Sequence, residues 1–103
     1  MLEFTTHNDT YIDTTGTHLQ GHLTNVTYER LTEVFGEPHD YGDPNKCDAN
    51  WDILFADGNI GTIYNWKNGK NYCGNYGLDV QDILNWNIGG HKSIVAKRIG
   101  EIL

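Results

Sequence analysis

The sequence predicts an α+β fold: a small antiparallel sheet built on a central hairpin over 49–66, packed by a short helix over 27–35 and a C-terminal helix over 92–103. Three observations carry this. The stretch from Ala49 to Trp66 reads as two alternating apolar runs joined by Asp57-Gly58. Tyr28, Leu31, Val34 and Phe35 recur at helical spacing, and Ile94, Val95, Ile99 and Ile102 form a second apolar stripe. The 103 residues suit a single domain over 1–103, because a chain of this size has no room for a second independent core. Hydrophobic residues at 38%, with 3 Phe, 3 Trp and 6 Tyr, exclude a disordered tail.

Taken in order, Thr10 to Leu23 is rich in Thr, Tyr and Ile and is broken by Gly16, which predicts two short strands around a turn. Thr27 then caps the first helix, and Gly36 and Pro38 stop it. The segment His39 to Lys46 holds nearly every turn-forming residue and reads as an exposed loop. In the hairpin, a two-residue type I′ turn at Asp57-Gly58 would oppose Phe55 to Ile60, Ile53 to Thr62, Trp51 to Tyr64 and Ala49 to Trp66, all on one face. A third strand is expected at Asn71-Tyr72-Cys73. The run from Asp79 is ambiguous; it is read as a turn of helix to Ile83, then a strand from Trp86 to Ile88. Gly89 and Gly90 lead into the last helix.

Net charge is −7, which argues against a protein that coats nucleic acid. Its distribution is uneven. Up to Trp66 there are 2 basic and 11 acidic residues, a balance of −9, whereas from Lys67 onward 5 basic and 3 acidic residues give +2. An anion would therefore be met by the last third of the chain. No window approaches the ~18 consecutive apolar residues of a membrane span, and Met1 to Thr6 lacks a basic region and an apolar signal core. The expected location is the cytoplasm, with no membrane partner. Asn8-Asp9-Thr10 and Asn25-Val26-Thr27 then count as accidental sequons, and Cys47 and Cys73 as reduced thiols.

The candidate site is a ligand pocket without a cofactor, metal or catalytic residue. Gly89 and Gly90 would turn their N–H groups toward a phosphate at the helix entrance, with His91, Lys92 and Ser93 as side-chain donors. The same Gly-Gly also suits a plain strand-to-helix turn. Trp66, Tyr72 or Trp86 would stack on a base, and Lys67, Lys70 or Arg98 would close the pocket. For Trp51 and Tyr64, core packing is the favoured role. An enzyme finds little support: His18 and His22 on a strand stand about 13 Å apart along one face, too far for a shared metal. The metal-hydrolase, deaminase and nucleophile-elbow patterns are absent.

Two stretches, Trp51 to Gly58 and Gly61 to Lys67, together with Gly69-Lys70-Asn71-Tyr72 and Trp86 to His91, resemble small bacteriophage-encoded proteins of about 100 residues, particularly from phages of marine and environmental bacteria. Val26 to Leu31 and Phe35 to Pro38 belong to the same pattern. The resemblance implies a phage origin and, by association, an inhibitor of bacterial immunity. Joined to the site, it leads to the expectation of a counter-defence protein that binds and sequesters a nucleotide immune signal, of cyclic ADP-ribose or cyclic oligonucleotide type. So small a domain would form that pocket between subunits, hence a homo-oligomer. The rival expectation is an acidic nucleic-acid mimic that occupies a CRISPR effector or other host nuclease through Glu29, Glu33, Glu37, Asp40, Asp43 and Asp48. A phage housekeeping or structural component is the third.

Overall fold

The computed structural model describes residues 3–38, 49–65, 74 and 77–103. The elements run β1 (Phe4–Thr6), β2 (His18–Leu23), α1 (Tyr28–Phe35), β3 (Asn50–Phe55), β4 (Ile60–Tyr64), a 3-10 turn (Val80–Asp82), β5 (Trp86–Gly90) and α2 (Ile94–Ile102). The five strands form one antiparallel sheet in the order β1-β3-β4-β5-β2. The α+β architecture is as the sequence predicts, with a C-terminal helix on the sheet.

The first helix starts and stops where local chemistry directs. The Thr27 hydroxyl accepts the Arg30 N–H at 3.0 Å, filling one of the donors that a helix start leaves open. Gly36, at φ +82°, turns the chain out of α1 while its N–H closes on Thr32. On α2, Val95 and Ile99 are fully buried, and Ala96 and Ile102 pack beside them. Gly100 sits on the outer side of this helix with open space where a Cβ would be. We therefore expect Gly100→Ala to stabilise the protein by about 0.5–1 kcal/mol, through helix propensity and a less flexible unfolded chain. An unchanged or lower urea midpoint would refute this.

The hairpin register differs from expectation by one residue. Trp51 opposes Ile63, Ile53 opposes Gly61 and Leu54 opposes Ile60. The connection is a three-residue loop: the Gly58 N–H bonds to Phe55 O, the Phe55 N–H bonds to Asn59 O, and Gly58 takes φ +90°. Asp-Gly suits this bulged loop as well as the two-residue turn. Packing decides between them, because a one-residue slip exchanges every side chain between faces. The observed register puts Ile63 (0% exposed) under the helices with Trp51, Ile53 and Phe55, and moves Thr62 and Tyr64 to the other face. It also buries Asn65, whose side-chain oxygen accepts the Ala49 N–H at 2.9 Å.

One face of the sheet thus carries the core: Trp51, Ile53, Phe55, Ile63, Trp86 and Ile88 beneath Leu31, Phe35, Val95 and Ile99. Two indoles meet at its centre, edge to face, with centroids 5.5 Å apart. Because β1 and β2 lie at opposite edges, residues 7–17 must cross the sheet. Ile12 is buried along this crossing, apart from the helix-side core, beside Asp52 of the second face.

The expected strand around 10–14 is therefore not formed. Those residues belong to the crossing segment, and β1 lies earlier. Gly16 does turn the chain, at φ +80°, with the Thr17 N–H on Thr14 O. In β2 a bulge at Gln20 breaks the alternation, so His18, opposite Gly90, and His22, opposite Asn87, lie on different faces rather than one. The strand from Trp86 runs two residues further than expected, through Gly89 and Gly90. The loop at 39–46 and the expected strand at 71–73 lie outside the described residues.

Candidate functional site

Among the described residues, those expected to surround a ligand take different places in the fold. Gly89 and Gly90 are strand residues in the middle of the sheet, opposite Thr62 and Gly61 on β4 and Leu19 and His18 on β2. Their backbone is spent on the ladder rather than on an anion nest. A Cβ on Gly90 would lie 2.5 Å from Val95 Cγ2 and 3.0 Å from Ile60 O. On Gly61 it would lie 3.0 Å from Ile99 Cδ1, and on Gly21 3.0 Å from Ala96 Cβ. These glycines let α2 sit close on the strands. At the helix start, the Val95 and Ala96 N–H groups already bond to the carbonyls of Lys92 and Ser93. His91, Lys92 and Ser93 are exposed there together.

Trp86 is 1% exposed, its indole N–H donates to Val26 O at 2.8 Å, and its ring meets Trp51 edge to face within the core. Trp51 takes the core role expected of it; its indole N–H donates to Gly36 O. Tyr64 instead faces the other side of the sheet. Arg98 is engaged with Asp57 of the hairpin turn. Its two terminal nitrogens hold Asp57 at 3.0 and 2.8 Å, and its guanidinium lies 5.3 Å from the Phe55 ring centroid. Trp66, Lys67, Lys70 and Tyr72 lie outside the described residues.

Hydrogen bonding from Arg98 lowers the Asp57 carboxyl to about 2. A folded-state value below the unfolded one means that the pair's contribution is complete above the ordinary carboxylate range, and is lost as pH falls through about 2. Carboxyl NMR titration should find Asp57 still ionised when its exposed neighbours have protonated. Arg98→Ala should return it to the ordinary range. Since the pair is at the surface, little stability rides on it.

What the described surface offers is negative charge. Exposed carboxylates are Glu3, Asp9 and Asp13 on the N-terminal segment, Glu29, Glu33 and Glu37 on or after α1, Asp57 in the hairpin turn, Asp79 and Asp82 about the 3-10 turn, and Glu101 on α2. Of the four described lysines and arginines, Arg30 pairs with Glu33 at 3.2 Å and Arg98 with Asp57, leaving Lys92 and Lys97. Glu29 and Glu33 stand four residues apart on one face of α1, roughly 6 Å between Cβ atoms. With Tyr28, Thr32 and Gln81 they line a shallow groove of about 450 Å³. Asp82, next to Gln81 in the 3-10 turn, is exposed as well.

A second hollow, of about 550 Å³, lies between His7, Asp52 and residues 10–15. Sequence reasoning missed it, because it arises where the crossing segment passes a strand that follows it by some forty positions. Among the described residues no group of three or more His, Cys, Asp or Glu side chains could hold a metal ion, and no helix is long and apolar enough to cross a membrane. Comparison with protein-family models, curated proteins and solved structures gives no match to this chain.

Proposed function

We propose that the chain is a phage counter-defence protein that acts by binding, without catalysis, and that its acidic surface occupies the nucleic-acid-binding surface of a CRISPR effector or another host nuclease in the bacterial cytoplasm. The observation that carries this is the groove of α1, which Glu29 and Glu33 line together. Enzymes that grip phosphates present lysine and arginine, and an array of fixed carboxylates competes for the same groups. The surface gains from having its own arginines tied down. Arg98 is held by Asp57, and Arg30 offsets Glu33 of the groove but not Glu29. Capture of purified host nucleases and CRISPR effectors on the immobilised protein tests the reading. Glu29→Lys combined with Glu33→Lys should weaken capture by roughly tenfold or more, and Lys92→Glu should leave it unchanged. Equal capture by the double variant would overturn the assignment.

Sequestration of a nucleotide signal is the second reading, favoured by one observation: His91, Lys92 and Ser93 stand exposed ahead of α2, and the Ser93 side chain makes no capping bond. It would need the 66–73 segment and a second subunit to complete a pocket. Calorimetric titration with cyclic nucleotides, silent for folded protein, would dispose of it.

A further inference from the structure

The tip of the β3–β4 hairpin carries the one Asp-Gly step in the chain, Asp57-Gly58. Such a step can react with itself. The Gly58 backbone nitrogen, having given up its proton, attacks the Asp57 side-chain carbon Cγ; a carboxyl oxygen leaves as water and a five-membered succinimide closes. Water then adds back. Cleavage of the nitrogen's bond to Cγ restores aspartate, whereas cleavage of its bond to the main-chain carbonyl carbon leaves isoaspartate, with the chain routed through Cβ and the former main-chain carbonyl as the free carboxylate. One water is lost and one regained. Glycine permits the attack because it has no side chain to obstruct the ring: a Cβ at Gly58 would meet nothing within 4 Å, and both residues are exposed.

The surroundings oppose each requirement of that reaction. Ring closure needs a carboxyl free to swing onto the nitrogen, but Arg98 Nη1 and Nη2 donate to Oδ1 and Oδ2 at 3.0 and 2.8 Å, and the main-chain and side-chain N–H groups of Asn59 donate to the same oxygens at 3.2 and 3.0 Å. Four bonds thus fix the carboxylate. The departing oxygen must also be protonated to leave as water, and hydrogen bonding from Arg98, by lowering the carboxyl to about 2, keeps that species scarce at neutral pH. Lastly, the Gly58 N–H must lose its proton, yet it donates to Phe55 O at 2.9 Å. Arg98 is itself steadied by the Phe55 ring, whose centroid lies 5.3 Å from the guanidinium.

From this arrangement we infer that Asp57 is a site of isoaspartate formation and that Arg98, reaching across from α2, is the guard that keeps it closed. The guanidinium holds both carboxylate oxygens at once through two parallel N–H bonds, which the point charge of an ammonium does not reproduce. The inference goes beyond the proposed function and does not depend on it, since the hairpin tip shares no residue with the α1 groove.

Ageing of the whole protein at mildly acidic and neutral pH, followed by peptide mapping against synthetic aspartyl and isoaspartyl standards, tests it. Asn68-Gly69 gains mass when it deamidates and Asp57 isomerises without a change of mass, so the two signals stay apart. Isoaspartate at position 57 is expected to accumulate roughly tenfold or more faster in Arg98→Ala than in wild type, as the carboxyl returns to its ordinary range. Arg98→Lys, which keeps the charge and loses the fork, should fall between them. Ile99→Val weakens the core beneath the same helix with Arg98 in place, and it should age at nearly the wild-type rate. That comparison separates loss of the guard from general loosening. In urea, where the fork is gone, wild type and Arg98→Ala should age alike, both faster than folded wild type. Equal rates in folded wild type and Arg98→Ala, equal acceleration in Ile99→Val and Arg98→Ala, or a difference between wild type and Arg98→Ala that persists in urea would overturn the inference.

Discussion

Gly90→Val is expected to cost about 3 kcal/mol or more of folding stability, a large fraction of the roughly 5–15 kcal/mol that a domain ordinarily has. Even the first carbon of the new side chain would sit 2.5 Å from Val95 Cγ2 and 3.0 Å from Ile60 O. The valine side chain could rotate away, but the carbonyl is part of β4 and cannot yield without breaking the ladder beside Gly61. Relief would have to come from lifting α2, which would expose Val95 and Ile99. Urea denaturation of wild type and variant measures the effect. The same experiment separates two views of the Gly-Gly pair. In an anion-binding loop the substitution would abolish binding and leave the midpoint nearly unchanged, whereas in a sheet covered by a close helix it lowers the midpoint sharply.

Trp86→Ala should cost about 3–5 kcal/mol, the range for removing a large buried aromatic side chain. Trp86 joins the two halves of the core: its ring meets Trp51 on β3, and its N–H holds Val26 O just before α1. Trp86→Phe keeps most of the apolar area but drops the hydrogen bond, so it should lose less than the alanine variant. A double-mutant cycle with Trp51 should return a coupling of about 0.5–1.5 kcal/mol, the ordinary value for an aromatic pair. Additive losses would mean that the rings do not pack as described.

The parts of this fold that could be read from sequence are those with a local cause. Tyr28, Leu31, Val34 and Phe35 share a helical face, and Thr27 and Gly36 mark its ends with side-chain and backbone chemistry that needs no distant partner. The Ile94 to Ile102 stripe is of the same kind. The hairpin was visible, but its register was not, because Asp57-Gly58 is compatible with two loop lengths and only the burial of Ile63 chooses between them. Gly89 and Gly90 show the same limit more sharply. Glycine marks a place where something comes close to the backbone, and the sequence alone does not say whether that is a phosphate or, as here, Val95 of the helix that follows. The bulge at Gln20 likewise has no local signature, yet it decides which face His18 takes.

The candidate sites follow this division. The α1 carboxylates were legible, since Glu29 and Glu33 need only helical spacing to stand together. The hollow between His7, Asp52 and residues 10–15 was not, since it depends on β1 and β2 lying at opposite edges of the sheet and on the segment between them crossing its face.

The central claim is that carboxylates on the outer face of α1 take the place of nucleic acid on a host enzyme. Competition binding addresses it most directly: purified nucleases and CRISPR effectors are loaded with fluorescent nucleic acid and titrated with this protein at low and high salt. The account predicts stoichiometric displacement from a susceptible enzyme, weakened by salt and by Glu29→Lys with Glu33→Lys, and indifferent to Lys92→Glu. Displacement that survives the double charge reversal, or nucleic acid that stays in place across the whole panel, would contradict it.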